Sequence, residues 1–408
     1  MKNYKLEEIC SFITDGKHGD CQDEEGSIYY FLSAKDIRNG KILFENGRKI
    51  IKEDFIDTNR RTRFEVNDIL ITNTGASVGR FAIAKEDDRI KRTTFQKSVS
   101  LLKPRTNIVV PEYLYYYLIG RKKEIINLGG GSAQANLLLR DIRAYKVSLP
   151  PLPTQKKIAN ILSAYDDLIE NNNQRIQLLE EMAAEIYKEW FVRFRFPAYE
   201  SATFVDKEGK EVPHGTDGAL PLDWGEKNLE TVITLKRGYD LPSNKIIDGL
   251  YPIVASTSIK GFHNEYKVEP PCICTGRSGS LGTIQYINSR AWPLNTTLYV
   301  KDFQGNEALF VYYLLQTLNL QNYNSGAGVP TLNRNHISKL KVIKPNKLLQ
   351  KKFTRYVKPK FDLINILREK NETLQQTRDL LLPRLISGKL SVENLALSTI
   401  EETSTVSS

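Results

Sequence analysis

The sequence predicts an α+β chain in which two mixed α/β globules are separated by two long helices. The helices are expected to form an antiparallel coiled coil, within an internal pseudo-two-fold repeat. Three observations predict this. First, apolar residues step by fours and threes along one stretch: Ile158, Leu162, Tyr165, Ile169, Ile176, Leu179, Ala183, Ile186 and Trp190, broken only by Asn172. That is the seam of a helix lying along a partner helix. Second, adding 195 to each position gives Phe353, Val357, Lys360, Ile364, Leu367, Asn371, Leu374, Arg378, Leu381 and Leu385, again largely apolar and again with one Asn. The lead-ins match as well, Gln155-Lys156-Lys157 becoming Gln350-Lys351-Lys352. Third, residues 224–345 repeat the first globule in weaker form, and a repeat on this scale decides the architecture.

The first globule, residues 1–150, holds short β-rich runs such as Ile69-Leu70-Ile71-Thr72 and Val99-Ser100-Leu101-Leu102, separated by turn residues. A helix is expected from Pro111 toward Ile126, followed by a flexible Gly129-Gly130-Gly131-Ser132 loop. Pro150-Pro151-Leu152-Pro153 is a stiff lead into the central long helix, residues 151–196, with Thr154 as its N-cap. In the symmetric antiparallel register Ile158 meets Leu385, Trp190 meets Phe353, Tyr165 meets Arg378 and Asn172 faces Asn371. A buried Asn pair costs stability but rejects slipped registers. Two ordinary bundle helices in separate cores are the plain alternative.

Residues 198–223 read as an exposed linker or hairpin at the start of the second globule, residues 197–345. In that globule Leu6-Glu7-Glu8-Ile9 returns as Leu229-Glu230-Thr231-Val232, and Tyr30-Phe31-Leu32 as Tyr251-Pro252-Ile253. Gln96-Lys97-Ser98-Val99 returns as Asn295-Thr296-Thr297-Leu298, and Gly130 to Gln134 lines up with Gly326 to Pro330. The second long helix, residues 346–390, is expected to stop or kink near Leu382, before Pro383. Residues 391–408, rich in Ser, Thr and Glu, are expected to be a disordered tail.

With 408 residues, 40% of them hydrophobic, there is material for two or three cores. A formal net charge of +10 suits a polyanion, with nucleic acid the default candidate. Cys10, Cys21, Cys272 and Cys274 form no CxxC pair and no zinc-ligand spacing, so no metal is expected and the thiols fit a reducing compartment. No apolar run approaches the ~20 residues of a membrane span, and Met1 to Glu8 lacks the apolar core of a signal peptide. A cytoplasmic protein with no membrane partner is expected.

Catalytic motifs are missing: the sequence has no GxxxxGK[ST] loop and no strand–GxGxxG–helix unit. Glu269-Pro270-Pro271-Cys272 superficially resembles an amino-methyltransferase tetrapeptide, but both decisive ends are wrong. His18, His214, His263 and His336 sit in no nucleophile or metal constellation. Glu185 and Lys188, one turn apart, read as a solvated pair. No catalytic residue is assigned.

Polar and basic loops are the better candidates, for DNA contact. In the first globule they supply Arg60, Arg61, Arg63, Asn73, Thr74, Ser77, Arg92, Thr93, Gln96 and Lys97. In the second they supply Lys236, Arg237, Tyr239, Arg277, Ser278, Ser280, Asn295 and Thr296. Arg and Lys suit phosphates, whereas amides and small hydroxyls can read base edges. For any one of them an ordinary solvated loop residue is at least as good a reading.

Taken together the chain resembles the specificity (S) subunit of type I restriction-modification systems. The most specific stretches are Leu149-Pro150-Pro151-Leu152-Pro153-Thr154-Gln155-Lys156-Lys157-Ile158, Asp166 to Asn172, Trp190 to Phe194, Leu220 to Trp224, and Leu381-Leu382-Pro383-Arg384-Leu385-Ile386-Ser387-Gly388. Lys344-Pro345-Asn346-Lys347 departs from the usual proline-rich lead of the second helix. The resemblance implies two target-recognition domains reading an asymmetric, gapped DNA site, with an antiparallel coiled coil setting the gap. It implies two methyltransferase (M) subunits and motor-nuclease (R) subunits; exposed helix faces, including Glu180, Glu181 and Glu185, are candidates for M-subunit docking, although such charges are ordinarily just solvated. S-adenosylmethionine, ATP and Mg would be bound by those partners, and this chain would hold no cofactor. Two rival classes are a self-sufficient DNA enzyme and a coiled-coil scaffold linking two protein-binding domains.

Overall fold

The structure, a computed structural model, describes residues 1–129 and 136–393. Most of the expected Gly129–Ser132 loop, the Gly130–Gln134 repeat and all but the first three residues of the expected 391–408 tail lie outside them. The chain forms two units, Met1–Asn171 with Lys370–Ser408, and Asn172–Glu369. Each contains part of both long helices, Leu152–Phe191 and Lys347–Ile386.

In the first unit a four-stranded antiparallel sheet runs in the order Cys10–Asp15, Val99–Pro104, Ile69–Thr72, Phe81–Ile83. Ile69-Leu70-Ile71-Thr72 is buried at every position because the sheet is covered on both faces. Alternate residues enter different cores, Ile69 and Ile71 one and Leu70 another. A second sheet places Tyr29–Leu32 between Arg48–Ile50 and Thr93–Phe95, pairing parallel with the latter. The core joins Ile9, Tyr113 and Leu118 to Ile158 and Leu162 of one long helix and Leu382, Leu385 and Ile386 of the other.

The second unit repeats this plan. Its four-stranded sheet is Thr234–Arg237, Thr297–Asp302, Cys272–Gly276, Ile284–Ile287. Its companion sheet is Ile259–His263, Tyr251–Val254, Trp292–Pro293, the last pairing parallel. An aromatic core gathers Tyr187, Trp190 and Phe191 around Phe353, with ring centroids 5.1–5.9 Å from it. In chain order after the first long helix, Phe204–Val205, Glu211–Val212 and Leu220–Pro221 make a small three-stranded sheet. The stretch expected as a linker or hairpin is therefore ordered, with Phe204 3% exposed.

Several local expectations are corrected. The helix Pro111–Gly120 is interrupted at Arg121 (φ −109°, ψ 16°) before Lys122–Asn127, and glycine just ahead of the break weakens continuation. The first long helix starts at Leu152, two residues ahead of the expected cap, because Pro153 is tolerated in a first turn. The second runs through Pro383 to Ile386. Leu382, Leu385 and Ile386 are buried there, and their burial outweighs the single backbone bond a proline removes near a helix end. Val392 is also buried, so the ordered chain reaches past residue 391. Arg378 pairs with Asp166, which also accepts the Tyr116 hydroxyl at 2.6 Å, rather than stacking on Tyr165. In the second unit Arg368 pairs with Glu180 at 2.6 Å.

Candidate nucleic-acid interface

In each unit the same set of backbone hydrogen bonds draws separate loops into one strip. In the first unit Lys17 bridges Gln96, Gly16 N–H donates to Val99 O, and Asn73 N–H donates to Ser98 O. Leu137 N–H donates to Asn73 O, and Thr74 bridges Asn136. In the second unit Tyr239 bridges Leu294, Gly238 N–H donates to Thr297 O, and Arg277 N–H donates to Thr296 O. Leu332 N–H donates to Arg277 O, and Ser278 bridges Thr331. The strips are equivalent bond by bond. Gly16 and Gly238 are obligatory there: an added Cβ would lie 1.9 Å from Phe95 O or 2.2 Å from Leu294 O.

These bonds correct the sequence repeat by one residue. Val99 corresponds to Thr297, so Lys97 matches Asn295 and Ser98 matches Thr296. Leu32 matches Val254, since Gln96 N–H donates to Leu32 O and Leu294 N–H to Val254 O.

The chain matches the model of the type I restriction modification DNA specificity domain over residues 1–181 and 221–376. It belongs to this family. It is similar to the type I restriction enzyme MjaIX specificity subunit of Methanocaldococcus jannaschii, 28% identical over 392 residues, covering 90% of this chain and 87% of that one. It is also similar to the HindI specificity subunit of Haemophilus influenzae, 23% identical over 440 residues, covering 88% and 94%. The fold is shared with the crystal structure of the type I restriction-modification S subunit from M. genitalium, with TM-score 0.59 at 18% identity over 94% and 95% of the two chains.

Within this specificity chain the expected contact residues separate into presented and internal ones. Gln96, Lys97 and Thr74 lie on the first strip, with Ser77 in the turn that follows Thr74. Asn73 is 4% exposed and donates through Nδ2 to Lys97 O and Ser100 Oγ, both at 2.9 Å. Thr93 is 1% exposed and donates to Arg89 O at 2.7 Å. Both are corrected from contact residues to internal supports. Arg92 precedes the strand Thr93–Phe95 and Gln96 follows it, so they sit at opposite strand ends. The run Arg60 to Arg63 is not a loop but the end of helix Lys52–Thr62, with Arg63 left-handed at φ 43°. Arg61 reaches the strip through an ion pair with Asp15 and a bond from Nε to Thr14 Oγ1 at 3.3 Å.

In the second strip Arg237, Tyr239, Arg277, Ser278, Asn295 and Thr296 converge, and Ser280 is exposed on the turn after Gly279. Asp240 accepts from Arg237 at 3.3 Å and from Asn295, offsetting part of the local positive charge. Lys236 lies over the Tyr239 ring at 5.2 Å, and the Tyr239 and Tyr299 hydroxyls are 3.0 Å apart. Burial pushes the Tyr299 phenol up, so it stays a neutral partner for Tyr239.

Asp15, Lys17 and His18 also stand at the end of the first strip, and the sequence reading offered none of them as a contact. Lys17 pairs with Asp54 at 2.6 Å, which raises the lysine and lowers the carboxylate, and His18 Nε2 is 3.1 Å from Asp15. The available signal was the Gly16-Lys17 and Gly238-Tyr239 correspondence, each glycine closing one sheet's end. Among the described residues no His, Cys, Asp and Glu cluster could hold a metal ion, and no helix is long and apolar enough to cross a membrane.

Proposed function

We propose that each unit reads one half of an asymmetric, gapped duplex site, and that the chain directs methyltransferase and restriction subunits to it in the cytoplasm. One observation carries this reading: equivalent strips present different side chains, Lys17, Lys97 and Thr74 in one and Tyr239, Asn295 and Ser278 in the other. Equal frames with unequal side chains suit two different half-sites. Cations position the chain on phosphates, while amides, hydroxyls and arginine address base edges. The chain performs no bond chemistry in this scheme. Two M subunits supply S-adenosylmethionine-dependent transfer, R subunits supply ATP- and Mg-dependent cleavage, and candidate M contacts include Glu180, Glu181 and Glu185.

The long helices act as an antiparallel coiled-coil spacer that sets the gap. The reading is supported within the second unit by partners whose numbers rise on one helix and fall on the other, Glu180 with Arg368 and Trp190 with Phe353. Asn172 and Asn371, 7% and 6% exposed near the helix centres, then specify the register.

The test is to co-express this chain with its M subunits and map methylated adenines genome-wide. A single bipartite motif with unlike halves is expected. Soluble, assembled subunits with no new methylation would overturn the reading in favour of a scaffold.

A further inference from the structure

The second strip is bordered by the glycine loop Ser325-Gly326-Ala327-Gly328-Val329-Pro330-Thr331. Three backbone links tie it to Arg277–Gly279: Leu332 N–H to Arg277 O at 2.8 Å, Gly279 N–H to Pro330 O at 2.9 Å, and the Ser278–Thr331 bridge. The loop is braced from within. Asn324 Oδ1 accepts the N–H groups of Gly326 and Thr331, both at 2.9 Å, and Thr331 Oγ1 donates to Val329 O at 3.0 Å. An added Cβ on Gly326 would lie 2.1 Å from Val329 O, so this closure requires glycine.

The braced tip presents an apolar side chain. Val329 is 58% exposed, between Gly328, beside which an added Cβ would meet nothing within 4 Å, and Pro330. Scattered exposed aliphatics need no explanation by themselves. This one differs in being held on a hydrogen-bonded loop that is tied directly to a strip of donors beside Arg277 and Ser278. A preordered apolar tip beside hydrogen-bonding groups matches what a thymine offers in the major groove, a 5-methyl group beside an acceptor.

We infer that Val329 contacts a thymine 5-methyl group in the half-site read by the second unit. This rests on the DNA-reading function proposed above. Val329 is then a specificity-determining residue that works by apolar contact, while Arg277 and Ser278 supply polar contacts next to it.

The experiment uses the full chain assembled with its M subunits and duplexes carrying the methylation motif. Each thymine of both half-sites is replaced singly by uracil, which removes only the methyl group. With the unaltered complex, one position in one half-site is expected to weaken binding about fourfold, the effect of one buried methyl. Val329→Ala should weaken binding to the thymine duplex by a similar factor and abolish the uracil effect at that position. Val329→Ile should retain it. Equal uracil effects in the unaltered complex and Val329→Ala, or unaltered affinity in Val329→Ala, would overturn the inference while leaving the DNA-reading function intact. Absence of any methylation motif would overturn both. Val329 is exposed, so its substitution leaves the core packing unchanged, and the melting temperature of each variant checks this.

Discussion

Gln155 Oε1 accepts the backbone N–H of Val110 at 2.9 Å, so a side chain from the first long helix caps the separate helix Pro111–Gly120. Its Nε2 donates to Pro150 O at 2.9 Å, which satisfies both ends of a 1% exposed amide. Gln350 repeats the arrangement in the second unit, accepting from Glu307 N–H at 3.0 Å and donating to Pro345 O at 3.2 Å. Gln155→Leu would leave a buried N–H and carbonyl unpaired, at a cost of about 2–3 kcal/mol. Chemical denaturation should register that loss, and faster hydrogen exchange at Val110 would locate it. Gln350→Leu should act equally on Glu307.

Asp166 holds Arg378 and the Tyr116 hydroxyl together in the first unit. Tyr116→Phe removes one neutral donor and should cost about 1 kcal/mol, whereas Asp166→Ala removes both that acceptor and one of the two carboxylates beside a half-buried Arg378, leaving Asp379 alone, and should cost more, about 2 kcal/mol. A double-mutant cycle would measure their coupling. Additive losses would count against a single network.

Asp68 is 1% exposed, and burial pushes its carboxyl up to about 6 despite Lys103 at 3.0 Å and the Glu65 N–H at 2.8 Å. The folded chain therefore holds this proton more tightly than the unfolded chain, whose Asp titrates near 3.8. The stabilisation is complete below that value and is lost as pH rises through about 6. Denaturation midpoints of the first unit should show this downward component, and Asp68→Asn should remove it.

The two kinds of strip residue should separate by salt. Lys97→Ala is expected to lower affinity across all sequences and to reduce the slope of log K against log salt by about one. Arg277→Ala should weaken cognate binding about tenfold or more and relax selectivity within one half-site. Titrations at several salt concentrations, on cognate and scrambled duplexes, read both effects.

Burial raises the Cys10 thiol to about 12, and Cys21, Cys272 and Cys274 are buried as free thiols. Native protein at pH 8 should resist alkylation, and denatured protein should take up label at all four. Mass spectrometry after a timed iodoacetamide pulse would decide it.

Much of this was legible because periodicity survives translation into structure. The seam from Ile158 to Trp190 and its copy 195 residues on fall within two helices of 40 residues each. Proline was a poorer guide: the second helix runs through Pro383, because a proline removes one bond while burial along the helix is retained. The strip was half legible. Asn73 and Thr93 carry the same side chains that read bases, and only burial distinguishes an internal support from a contact. Lys17 was missed because its place depends on a bridge to Gln96, a pairing between strands distant in sequence. The one-residue slip between Gln96 and Asn295 came from matching amides by type, where backbone hydrogen bonds match Lys97 to Asn295 instead.

The two units also differ in how they draw on the chain. The second is continuous, Asn172–Glu369, whereas the first joins Met1–Asn171 to a segment that follows it. On the ribosome, the second unit has all its residues before the first does. Leu6, Ile9, Tyr113 and Leu118, synthesised early, must wait for Leu382, Leu385 and Ile386 to complete their core. Until then that apolar surface is open to chaperones and to other nascent chains. The order of synthesis thus assigns the longest exposure to the unit that begins first.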